Sequence, residues 1–221
     1  MFSKDLFDGK ETEDNWQLRY QALKDLLVEL EKDTSKRIIA AVIKPHLDLI
    51  AQQLGSPRTQ LVLSAAAVLH LALQLASPDD HLHQSDDLLY PHIVKLCGSS
   101  KKILSAEGCK LLRVVAERTL VPNRLLPLIS LDLTDKSSVT VRLALTEALV
   151  RMMLHRHRVI MADQKATNLI FSCLTKGVGD ANPEVRYMAA QCFLFLETTY
   201  NQAAMAVYEQ LDSAAKKQLN M

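Results

Sequence analysis

The sequence predicts an all-α fold made of stacked helix pairs, and three observations carry that prediction. Leu, Ala and Val dominate the 221 residues while glycines number only six, a composition that favours helix. Apolar residues recur at helical spacing between short polar breaks, with no convincing strand alternation. The breaks also resemble one another. GSPRTQLVLSAAAVLHLA, GSSKKILSAEGCKLLRVVA, DKSSVTVRLALTEALVRMM and DANPEVRYMAAQCFLFLE each set polar or capping residues, then a basic residue, before a small-and-aliphatic helix.

Aligning Ala65, Ala106, Ala144 and Met188 gives offsets of about 41, 38 and 44 residues, close to the roughly 40–47 residue period of HEAT-type helix pairs. The matching first helices fall at 37–54, about 86–97, 122–134 and 159–176. A helix pair cannot bury its apolar face alone, so stacking stabilises it and one solenoid over the whole chain is the expectation. The opening helix shows its buried stripe as Leu18, Ala22, Leu23, Leu26, Leu27 and Leu30. Pro45 predicts a kink or break at the preceding turn of its helix. Residues 77–86 (SPDDHLHQSD) are the least apolar connector and read as a loop.

Charge is nearly balanced, with 26 Lys+Arg against 25 Asp+Glu, which argues against a general nucleic-acid or membrane-surface binder. The balance is uneven, since residues 1 to 35 hold five basic and nine acidic side chains. The most hydrophobic run, 61–76, is short for a membrane span and contains Ser64, His70 and Gln74, so a buried helix is expected there. Cys97, Cys109, Cys173 and Cys192 lack Cys-x-x-Cys spacing and lie in apolar helical patterns, which predicts buried thiols and a reducing compartment. Met1 to Lys10 has no signal-peptide character.

The helix starts carry the functional signal. Capping residues are expected at Asp14 or Asn15, Ser56, Ser99 or Ser100, Ser137 or Ser138, and Asn182. Acidic residues would suit these first turns, because a helix N-terminus carries partial positive charge and each misplaced cation costs roughly 0.3–1 kcal/mol. Yet Arg58, Lys101 and Lys102 occupy first turns, Lys136 just precedes one, and Arg19, Arg142 and Arg186 follow about one turn in. Equivalent turns of a solenoid share an edge, so these residues predict a basic ridge with Trp16 at its end, suited to an acidic protein partner. The alternative for each is a side chain folded back over a neighbouring carboxylate such as Glu184. Trp16 itself either packs under its helix end or is offered to the partner.

With GKETEDNW at its opening, the turns SPR, SSKK and DANPEVR, and the ending AAMAVYEQLDSAAKKQL (203–219), the chain resembles a TOG domain of the CLASP family of microtubule-associated proteins. The resemblance runs over essentially the whole chain. It implies a single TOG domain, residues 1–221, excised from a longer multi-domain protein: a HEAT-repeat solenoid of about six helix pairs forming a flat paddle. It implies that intra-repeat turns engage αβ-tubulin, with Trp16, Arg58, Lys101, Lys102, Lys136, Asn182 and Arg186 as the tubulin-binding residues. Trp16 would meet β-tubulin and the later turns α-tubulin. The implied function is regulation of microtubule dynamics through rescue promotion, catastrophe suppression and spindle function, in the cytoplasm, cytoskeleton and mitotic spindle, or in the nucleus where mitosis is closed. The domain is expected to be monomeric, with no nucleic acid or membrane partner. A scaffold for kinetochore or spindle proteins that does not bind tubulin directly stays open.

No chemistry competes with that reading. Neither Gly-x-x-x-x-Gly-Lys nor Gly-x-Gly-x-x-Gly occurs, no spacing singles out a nucleophile, and neither an enzyme nor a cofactor is expected. His81, His83 and His92 are too sparse for a metal site without a cysteine to complete them. The run RMMLHRHRV (151–159) reads as a basic C-terminal helix turn, or as a contact for phosphate or an acidic tail.

Overall fold

The structure, a computed structural model, describes residues 3–32, 35–80, 82, 85–211 and 213–219, and the regular elements among them are all helical. The chain divides into two compact units, residues 1–120 and 121–221. The first contains α1 (Lys4–Phe7), α2 (Trp16–Leu30), α3 (Ser35–Ile38), α4 (Leu47–Gln52), α5 (Thr59–Leu75), α6 (Asp86–Cys97) and α7 (Lys102–Arg118). Helix α5 packs against both α2 and α7, and α7 against α6. A helix flanked on two sides must be apolar over most of its surface. That explains the 61–76 run: Leu61, Val62, Ala65, Ala66, Val68, Leu69, Ala72 and Leu73 are all buried. No helix among the described residues is long and apolar enough to cross a membrane.

Pro45 breaks its helix as expected. The segment passes from α3 into a π turn (Ile39–Ile43), then a 3₁₀ turn (Lys44–His46), before α4 resumes. Proline leaves the preceding turn one donor short. His46 supplies one from its side chain, Nδ1 donating to the Val42 carbonyl at 2.8 Å. The α2 stripe differs from expectation at Leu18 and, more mildly, at half-buried Leu27. Ala22, Leu23, Leu26 and Leu30 are buried, but Leu18 is 60% exposed and Arg19, 2% exposed, takes the inward place.

The second unit holds α8 (Pro122–Asp132), α9 (Val139–Ala162), α10 (Gln164–Val178), α11 (Pro183–Thr199), α12 (Asn201–Gln210) and α13 (Ser213–Leu219). Helix α10 packs on α8, α9 and α11, and α11 carries α12 and α13. Helix α9 runs to Ala162, so the next helix begins at Gln164, not at 159. Nothing inside α9 stops it: it contains neither Gly nor Pro, and the break comes at extended Asp163, whose carboxylate accepts from Ala166 N–H at 2.9 Å. RMMLHRHRV therefore lies within α9, not at its end. His157 there bonds the Tyr200 hydroxyl at 2.7 Å and meets Phe195 edge-on at 5.5 Å, tying α9 to the end of α11.

Asn182 caps α11 as expected, its Oδ1 accepting from Glu184 N–H at 2.9 Å and Val185 N–H at 3.2 Å. Asn182→Ala is expected to cost about 1 kcal/mol, a fall of about 2–4 °C in Tm by calorimetry. Caps also fix the register of the repeats. Counted from Arg58, Lys101, Ser138 and Asn182, the seventh residue is Ala65, Gly108, Leu145 and Ala189, each buried. The alignment on Ala106, Ala144 and Met188 is thus out of phase, and Ala106 is exposed.

Cys97, Cys173 and Cys192 are buried and Cys109 is half-buried; none of the four is in a disulfide. Burial raises the Cys173 pKa and pushes Cys192 up to about 12. A bond to Cys109, then burial, raises Cys97 as well. Thiols held protonated in this way are poor nucleophiles.

Candidate functional site

The turns between paired helices share a construction that places their cap residues. Ser56 Oγ accepts from Arg58 N–H at 3.0 Å, Ser99 Oγ from Lys101 N–H at 3.3 Å, and Asp180 Oδ1 from Asn182 N–H at 2.8 Å. Each is a side-chain turn closing onto the residue two ahead. The cap residues of α5 and α7 are therefore Arg58 and Lys101 rather than Ser56 and Ser99 or Ser100, and both are extended. Only the break before α9 keeps its serine, Ser138, whose Oγ accepts from Val141 N–H. A cap residue lies outside the helical spiral, so a basic side chain there leaves from the mouth of the helix.

In the first unit, three turns meet. Before α2, Thr12 and Asn15 form a reciprocal capping box: Thr12 N–H donates to Asn15 Oδ1 at 2.9 Å and Asn15 N–H to Thr12 Oγ1 at 3.2 Å. Asn15 is thus the inner member of a box whose outer member, Thr12, was not among the expected caps. The box sets half-buried Trp16 at the start of α2. The Arg58 guanidinium lies over its ring, 5.2 Å from the centroid. Arg58 Nη1 donates to Glu11 and Nη2 to Glu13, the latter at 2.5 Å. The bond to Glu13 raises the Arg58 pKa, lost hydration lowers it, and the bond to Glu11 raises it again, for a net rise. Glu13, Trp16, Pro57, Arg58, Thr59 and Gln60 line an open depression of about 520 Å³. Next along, Lys101 Nζ donates to Thr59 Oγ1 at 3.1 Å, so the third turn adjoins the second. Lys102 is exposed beside it.

In the second unit, the turn after α8 lies against the turn after α10. Arg142 Nε and Nη2 grip both oxygens of Asp180 at 2.7 and 3.0 Å, while Nη1 donates to the Ser137 carbonyl at 2.6 Å. Leu133, Thr134, Asp135, Arg142, Lys176 and Asp180 line a cleft of about 220 Å³ here. Burial alone would raise the Asp180 pKa. The bond from Arg142, the Asn182 N–H and the charges of Arg142 and Arg186 outweigh it and hold the carboxyl below its usual range. Lys136 is exposed in the 133–138 turn, and Arg186 Nη1 donates to the carbonyls of Asp180 and Ala181 at 2.8 and 2.9 Å.

Two residues leave the expected basic ridge. Arg142 is 8% exposed and Arg19 2% exposed. Arg19 Nε donates to Leu6 O at 2.9 Å, Nη2 to Gly9 O and Lys10 O, and Nη1 to Gln53 Oε1, fastening residues 6–10 to α2. A guanidinium has five donors in a rigid fork, which suits it to gather carbonyls. The alternative of basic side chains folding back on carboxylates holds for Arg58, with Glu11 and Glu13, and for Arg142, with Asp180. Local sequence pattern does not mark those two glutamates or Asp180; the acidic excess of residues 1 to 35 is the one signal for the pair. Among the described residues no group of three His, Cys, Asp or Glu could hold a metal, and His81 and His83 lie outside them.

The arrangement offers an indole, a stacked arginine and exposed lysines at helix mouths. Protein stu-1 of Neurospora crassa is 28% identical over 218 residues, 96% of this chain and 19% of that protein. CLIP-associating protein 1 of Xenopus tropicalis is 29% identical over 170 residues, 73% of this chain and 11% of that protein. The chain thus spans less than a fifth of the length of these relatives. A solved chain from TOG domain arrays of microtubule polymerases, described for tubulin recruitment and assembly, superposes with a TM-score of 0.67 at 14% identity, covering 99% of this chain and 45% of that one. That likeness shows the fold, the HEAT-like helical repeat of TOG domains. The model of the CLASP N-terminal family matches residues 3–220, and the chain belongs to that family.

Proposed function

We propose that residues 1–221 act as one TOG module that binds αβ-tubulin through its intra-repeat turns and regulates microtubule dynamics at the cytoskeleton and spindle, as a binding module and not as an enzyme. Trp16, Arg58, Lys101, Lys102, Lys136, Asn182 and Arg186 are the residues we assign to the contact. The observation that carries this reading is the line from Trp16 through Arg58 to Lys101, which joins three successive turns in one surface. Family membership and the tubulin-recruiting TOG arrays that share the fold support the choice of partner. The module changes dynamics by binding curved tubulin more tightly than straight, because only differential affinity shifts such an equilibrium.

Trp16→Glu and Arg58→Ala are each expected to weaken tubulin binding about tenfold or more, as buried aromatic and arginine anchors do, with helicity unchanged by circular dichroism. Raising the salt concentration weakens the wild type too, since exposed lysines are screened beyond about 8 Å at physiological ionic strength. Equal tubulin binding by wild type and both variants in size-exclusion chromatography removes the proposal.

A further inference from the structure

We infer that Glu13 is an internal competitor for the carboxylate that a partner brings to Arg58, so that it sets how strongly this surface accepts an acidic side chain. The inference rests on the reading of the Trp16–Arg58 surface as a docking site, and it adds a control element to it.

Arg58 does not present a free cation. Its two terminal nitrogens are each taken, Nη1 by Glu11 and Nη2 by Glu13. With both glutamates attached the trio carries a net charge of −1, which repels an acidic surface instead of drawing it in. The two carboxylates differ in kind. The Glu11 side chain is 13% exposed, whereas that of Glu13 is 86% exposed. Glu11 is a desolvated partner that would leave a poorly hydrated charge behind if it departed. Glu13 stays hydrated in or out of the pair, and exposed pairs of that type are weak and easily exchanged.

The rest of the site is built for exchange. The Arg58 side chain is 22% exposed, with its guanidinium over the Trp16 ring and one edge tied to Glu11, so it keeps its orientation when Glu13 swings away. The open depression bordered by Glu13, Trp16, Pro57 and Gln60 gives an incoming side chain room beside the same nitrogen. An arriving carboxylate replaces Glu13 on Nη2 and takes over its charge-assisted hydrogen bond. A neutral side chain cannot, so Glu13 excludes partners that lack an acid at this point while lowering the affinity of those that have one.

The experiment compares the full chain with Glu13→Gln and with Asp14→Asn, which removes the same charge one residue away. Two titrants are used: purified tubulin, and a short glutamate peptide followed through the fluorescence of Trp16, the chain's only tryptophan. Glu13→Gln is expected to bind the peptide about two- to fivefold more tightly, the range an exposed ion pair commands, and to exceed Asp14→Asn clearly. Tubulin follows the same order. If Glu13→Gln and Asp14→Asn bind the peptide equally, or Glu13→Gln binds it no better than wild type, the competitor role is overturned. If the peptide order holds but no form binds tubulin, the competitor role stands and the tubulin proposal falls.

Discussion

Replacing Gly108 with alanine lowers the stability of the protein by about 1–3 kcal/mol, a fall of roughly 2–12 °C in Tm. Helix propensity alone gives the opposite sign, because alanine inside a helix is better than glycine by about 1 kcal/mol. Space decides the matter. A Cβ at Gly108 would sit 2.6 Å from the Cys97 backbone nitrogen and 2.9 Å from the Leu96 carbonyl carbon. Both are main-chain atoms of α6, which cannot rotate aside as a side chain does, so the two helices must part. Their approach is fixed one turn earlier in α7, where Ser105 Oγ donates to the Cys97 carbonyl at 2.6 Å. Parting the helices stretches that bond and opens the packing of Leu104, Leu111 and Leu112. Gly55→Ala is the matched control, with nothing within 4 Å of its Cβ. Thermal denaturation should show Gly108→Ala melting well below wild type and Gly55→Ala close to it. Equal melting of the two variants contradicts the argument.

Gly108 also shows where reading the sequence succeeds and where it stops. The helices themselves were legible, because apolar spacing and turn residues are local properties of the chain. So was the break at Pro45, whose missing N–H acts within one turn. Gly108 lies inside the second repeat and nothing local marks it; its role depends on Cys97, which only the packing of α6 on α7 brings near. The arginines repeat the lesson. Spacing put Arg19 and Arg142 with Arg58 in one basic series, and nothing local separates them. Arg19 turns inward because the carbonyls of Leu6, Gly9 and Lys10 gather where α1 ends, and that cluster exists only once the chain has folded over α2. The partners of Arg58 lie more than forty residues away. Turn-level chemistry placed the helix mouths; it could not tell which cations there already had partners.

Arg142→Ala is expected to destabilise the second unit by about 2–4 kcal/mol at neutral pH, the cost of leaving one half of a buried ion pair without the other. Arg142 makes three bonds at once, two to Asp180 and one to the Ser137 carbonyl, so its loss frees two turns together. The remaining carboxylate is the larger cost. Asp180, 8% exposed, keeps only the Asn182 N–H and the nearby charge of Arg186 for compensation. The sign of the pH dependence follows from the depressed pKa of Asp180. A carboxyl held below its unfolded value, about 3.9, contributes stability that is full above that value and is lost as pH falls through the folded one. The gap between wild type and Arg142→Ala in urea denaturation should therefore be widest near pH 7 and narrow below about pH 4, where a neutral Asp180 no longer needs its partner. Removing both residues, as Arg142→Ala with Asp180→Ala, should recover part of the loss at pH 7, because no charge is then stranded. A gap that is the same at pH 7 and pH 3, with no recovery in the double variant, would mean that Arg142 acts through its packing and its bond to Ser137, and that Asp180 is only a neighbour.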